Sequence, residues 1–145
     1  GLHKEPRFEA FCESNGGQPA MFDDTCYVLP CDTALQAAAC AFTLNHDIVK
    51  RFLRSISFKD AKRPITKKVL ERVNFLKAAE RIDADVAREG VAAILKSLGL
   101  EIVLPEEFSL ADAVVGQPLA SVERRSRAKR QAVLFAPLTP VGGDR

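Results

Sequence analysis

Only two histidines, His3 and His46, occur in this 145-residue chain, tryptophan is absent, and no apolar run approaches the roughly 20 residues that span a bilayer. The longest apolar candidates, around Ala34–Leu44 and Ala132–Leu138, are short or interrupted by Gln36, Thr43 and Pro137. Membrane association is therefore expected only through partners. A Ser–His–Asp or Cys–His site must use one of the two histidines. Neither has a nearby acid pair or serine constellation, so both are read as solvated. Glycine-rich phosphate loops are also missing, because Gly16-Gly17 and Gly142-Gly143 lack the strand–loop–helix context such loops need. Four cysteines, Cys12, Cys26, Cys31 and Cys40, are separated by thirteen, four and eight residues, without a C-x-x-C knuckle. Free buried thiols are the first reading. A metal site using Cys26-x4-Cys31, or a disulfide, are the alternatives.

What is present describes one folded domain. Hydrophobic residues make up 47% and charged residues 28% of the chain, which argues against wholesale disorder. A chain of this length buries about two-thirds of its unfolded surface. The net charge of +2 is unevenly spread: from Pro118 onward six basic residues face two acids, so the tail carries +4 and the rest −2. The cluster Arg124, Arg125, Arg127, Lys129 and Arg130 is the candidate polyanion or partner contact. No aromatic stacking residue lies within it, and a solvated charged helix face is its plain alternative. The chain begins at Gly1 without a signal-like segment, as a removed targeting segment or a trimmed chain would leave it.

Three regions follow from the pattern. Residues 1–30 have little periodicity and read as an extended arm anchored by Phe8, Phe11, Met21, Phe22, Tyr27, Val28 and Leu29. Residues 31–117 read as a helical domain. A helix capped by Asp32 turns Leu35, Ala38 or Ala39, and Phe42 inward. A second, capped by Asn45 or Asp47, repeats Ile48, Val49, Phe52, Leu53 and Ile56 at helical spacing. Pro64 suits the first turn of a third, running to Ala79 with Ile65, Val69, Val73 and Leu76 as its stripe. Asp83 or Asp85 opens a fourth whose face is Val86, Gly90, Ile94 and Leu98, stopped by Gly99. Gly90 is expected to be the closest approach of this helix to the Val69–Leu76 stripe. Pro105-Glu106-Glu107 opens a fifth that ends at Gly116. Residues 118–145 read as a basic C-terminal helix and a tail, with Ala132–Ala136 a strand or a segment docked on a partner.

The fold expected is all-α, an irregular, solenoid-like stack of about five helices with extended terminal arms. Residues 47–110 resemble subunit Va of mitochondrial cytochrome c oxidase. The likeness rests on the amphipathic Ile48–Ile56 helix, the proline-led helix from Pro64-Ile65 to Ala79, and the run Leu98-Gly99-Leu100 through Pro105-Glu106-Glu107-Phe108. That resemblance implies a non-catalytic subunit on the matrix side of the inner membrane, without cofactor or small-molecule substrate, whose partners are other subunits of a large assembly. An RNA- or ribosome-associated protein acting through Arg124–Arg130 is the alternative expectation.

Overall fold

The computed structural model describes residues 6–12, 26–57 and 65–116, together with the backbone of 132–137. Pro64, His3, Met21, Phe22, the Ser14–Pro19 turn and the basic segment expected to be the last helix lie outside the described residues. The described part is mostly helical, as the pattern predicts. In chain order it contains β1 (Glu9–Cys12), β2 (Cys26–Pro30), α1 (Ala34–Asn45), α2 (Asp47–Ile56), α3 (Lys67–Leu70), α4 (Phe75–Ala79), α5 (Ala84–Ser97), α6 (Leu110–Val115) and β3 (Ala132–Pro137).

Helix α1 is the hub. Leu35, Ala37, Ala38, Ala39, Cys40, Ala41, Thr43 and Leu44 are all buried, so apolar groups surround the axis instead of forming a single stripe. A run of small side chains permits this, because α5, α6, α2, α4 and β1 can each approach the backbone closely. The inward face expected from Leu35, Ala38, Ala39 and Phe42 is thus too narrow, and Phe42 itself is only half-buried. The one buried polar side chain among the described residues, Thr43, returns its hydroxyl to the Ala39 carbonyl at 2.8 Å.

The remaining helices depart from the sequence expectation in instructive ways. The Val69–Ala79 run is broken into α3 and α4, because Asn74 Oδ1 accepts from Lys77 N (3.0 Å) and restarts the chain as a new N-cap. On α5 the buried residues are Ala87, Val91 and Leu95, one position round from the expected stripe, and Val86 is half exposed. Its Asp83 cap accepts from Asp85 N and Val86 N. The C-terminal end has Gly99 at φ 75°, Gly99 N donating to Lys96 O and Leu100 N to Leu95 O, which is the Schellman arrangement. Pro105-Glu106-Glu107 is a turn and does not open a helix. Phe108 N donates to Pro105 O, the Phe108 ring is buried, and α6 begins only after the Ser109 cap.

The arms meet in a sheet of order β1-β3-β2, with β3 antiparallel to both flanking strands. Glu9 lies opposite Phe135 and Cys12 opposite Ala132 on one side; Cys26 lies opposite Pro137 and Pro30 opposite Val133 on the other. Strands β1 and β3 rest on α1. Of the aromatic and aliphatic anchors expected in the first arm, Phe8 is buried, whereas Phe11, Val28 and Leu29 stay well exposed.

Candidate functional site

Three local arrangements around α1 carry the chemistry of the described residues. The first holds the arm. Asn45, expected to cap α2, instead pairs with the backbone of Phe8: its Oδ1 accepts from Phe8 N (3.1 Å) and its Nδ2 donates to Phe8 O (2.6 Å) and Ala41 O (2.8 Å). One amide thereby serves as a strand partner to the arm while remaining tied to α1. The α2 cap passes to His46, whose Nδ1 accepts from Ile48 N at 3.4 Å. His46 is therefore structural and half-buried, not the solvated side chain expected.

The second is an open groove of about 230 Å³ lined by Phe42, Asn45, His46, Asp47 and Val86. The Phe42 and His46 rings lie 6.0 Å apart at 52°. Gly90 backs the Phe42 ring so closely that any Cβ there would overlap it. Close approach at Gly90 was expected from the sequence; its partner is α1, not the Val69–Leu76 stripe.

The third is a thiol pair. Cys31 follows β2 directly, Cys40 lies in the middle of α1, and both are buried. Cys31 Sγ donates to Leu29 O at 3.8 Å, and Cys40 Sγ to Val114 O at 4.0 Å. The neighbouring Cys31 thiol, followed by burial, pushes the Cys40 thiol far above its ordinary value. Burial raises Cys12 as well. Such thiols are poor nucleophiles in the folded chain.

No family model, curated protein or solved structure matches this chain.

Among the described residues, no group of three or more His, Cys, Asp or Glu side chains is placed to hold a metal ion. Cys26 sits at the far end of β2 from Cys31, so the spacing that suggested a Cys26–Cys31 hook is taken up by strand. No described helix is long and apolar enough to cross a membrane. The candidate contact residues Arg124, Arg125, Arg127, Lys129 and Arg130 lie outside the described residues. The Asn45 clamp has only a faint signal in the sequence, a lone amide ending an apolar helix. Gln36 is similar: its Oε1 accepts from Asp32 N (2.9 Å) and its Nε2 donates to Val114 O (3.3 Å), joining the start of α1 to the last turn of α6.

Proposed function

We propose that the chain is a non-catalytic accessory subunit of a large mitochondrial assembly on the matrix side of the inner membrane, with cytochrome c oxidase as the first assignment. The observation that carries this reading is the number of large apolar side chains left outside on a small body. Leu76 is 44% exposed, Val86 50%, Val115 57% and Val103 91%. Exposed aliphatic side chains of this kind are suited to burial against other subunits. On this reading the helices form an irregular, solenoid-like stack of about five units, with α3 and α4 counting as one interrupted helix. The Gly99 stop and the Pro105–Phe108 turn support the resemblance, because they keep the order of features on which it rests.

The test is the identity of what co-migrates with the chain on a native gel of mitochondrial extract. Stoichiometric co-migration with an inner-membrane complex is the expected result; a chain that runs as a free monomer overturns the assignment. The charge asymmetry favours a second reading, RNA binding through Arg124–Arg130. That activity requires affinity to fall by nearly one log unit per phosphate contact for each tenfold rise in salt. Replacing Arg124, Arg125, Arg127 and Arg130 with Gln should abolish it, and retention of binding would remove the reading.

A further inference from the structure

We propose that the outer edge of β2 is a dimerisation surface, on which a second copy of this chain pairs its own β2 antiparallel to the first. The inference is independent of the assembly to which the chain belongs. In the sheet order β1-β3-β2, β3 is paired on both sides, and among the described residues no strand lies beyond β2. Proline fixes how the ladder is satisfied. Pro30 and Pro137 have no N–H to give, and they occupy pairs of one parity, Pro30 opposite Val133 and Pro137 opposite Cys26. Antiparallel pairs alternate between those that exchange hydrogen bonds and those that do not. The ladder loses nothing to proline when Tyr27 with Ala136 and Leu29 with Leu134 are the bonded pairs. Val28, between them, then turns its N–H and C=O away from β3, toward the outer edge.

The same alternation sorts the side chains. Ala10 and Cys12 pack against the core, so Glu9 and Phe11 lie on the outer face of the sheet, and the register places Val28 and Pro30 there with them. Tyr27 and Leu29 share the inner face. There β1 and β3 are the strands that rest on α1, and Leu29, at the margin of the sheet, stays well exposed. Edge strands are ordinarily protected by charge. β1 has such a guard in the Arg7–Glu9 ion pair at 3.0 Å, whereas Cys26–Pro30 carries no charged residue. β2 is the edge left for a partner strand.

A second copy fits that edge about a twofold axis at Val28. Val28 then lies opposite the second copy's Val28, and each N–H donates to the other's C=O, so the outward groups of both residues are satisfied. Tyr27 falls opposite the second copy's Leu29, and Leu29 opposite its Tyr27, at the closely spaced positions that exchange no hydrogen bonds. An aromatic and an aliphatic side chain cover each other there, removing apolar surface from water. No like charges are opposed, because the segment has none. Sliding the strands two residues toward Pro30 would set proline opposite Val28 and leave the Val28 carbonyls without a donor, which disfavours that register. The product is a six-stranded sheet of order β1-β3-β2-β2-β3-β1. The interface is isologous and uses the outer edge of β2 in both chains, so association closes at two.

The experiment uses the full chain. Light scattering during gel filtration should give a mass twice that of one chain, falling toward the monomer on dilution. Hydrogen exchange followed residue by residue needs no variant. The Val28 N–H should be protected in concentrated protein and lose that protection on dilution, whereas Tyr27 and Leu29, bonded to β3, should not change. Val28→Lys and Val28→Glu each set like charges face to face at the twofold axis, and each should be monomeric. Mixed in equal amounts they should dimerise, because opposite charges then meet. Circular dichroism checks that both variants keep their helices; if either loses them, the exchange of Val28 in the parent chain decides alone. A parent chain that is monomeric at every concentration, or a Val28 N–H that exchanges freely throughout, overturns the proposal. So do folded Lys and Glu variants that stay dimeric alone or fail to pair when mixed, and so does a parent chain that covers this edge only with a different protein.

Discussion

Two side chains near the middle of α1 concentrate the energetic consequences of close packing. The Phe42 ring occupies the space a Cβ at Gly90 would need, so Gly90→Leu should destabilise the protein by about 1–3 kcal/mol despite leucine's better helix propensity. Phe42→Ala in the same chain should recover part of that loss. A double-mutant cycle read by denaturant unfolding checks this, and additive effects would mean that the two residues do not press on each other. Cys40 makes a different prediction. In the reduced protein its folded thiol stays protonated above the ordinary value of 9.0 at which the unfolded chain releases the proton. Below that pH the group adds no slope. Above it the unfolded state binds fewer protons than the native one, so stability falls, by about 1.4 kcal/mol per pH unit for a single proton. Melts of reduced protein between about pH 8 and pH 10.5 should show this fall, and Cys40→Ala should be flatter over the same range.

At the level of the elements, the glycine stops were the most legible features, because they depend on a few adjacent residues; of the expected caps Asp83 holds, whereas Thr33, His46 and Ser109 take the places expected of Asp32, of Asn45 or Asp47, and of the Pro105 turn. Gly99 and Gly116 were readable as helix ends and both adopt positive φ, 75° and 84°. Gly116→Ala should be the more damaging replacement, since a Cβ there also meets the Gln36 amide, whereas Gly99 faces open space. The measurement is the difference between the two thermal shifts. Asn74 went unrecognised as a cap because hydrophobic spacing continues across it from Val69 to Leu76, and periodicity masks a break that lacks proline or glycine. The burial of α1 on every side was illegible for the opposite reason: an alanine run has no strong face, and what surrounds it is decided by distant segments. Asn45 belongs with these non-local features. Asn45→Ala should cost about 1–3 kcal/mol by leaving the Phe8 backbone groups without their partners. Hydrogen exchange should then rise first at Phe8 and along β1.

Across the whole molecule, the strands were anticipated as extended segments, but their pairing was not, since register between residues a hundred positions apart leaves little trace in either partner. The thiols are of the same kind: spacing alone left Cys31 and Cys40 open among metal, disulfide and free thiol, and only the fold shows both to be buried and free. Deleting 132–145 should abolish exchange protection in Glu9–Cys12 and Cys26–Pro30 while α1 and α5 keep theirs, because β1 and β2 are each paired to β3, which lies between them in the sheet. Loss of protection throughout would show the helical body to depend on the sheet. The same topology has a consequence for synthesis. β1 and β2 leave the ribosome early, yet the strand that joins them follows β2 by about a hundred residues, a delay of about 5–20 s at about 5–20 residues per second. For that interval the two strands wait with unpaired edges, and any chaperone that binds extended segments meets this chain before its own last strand does.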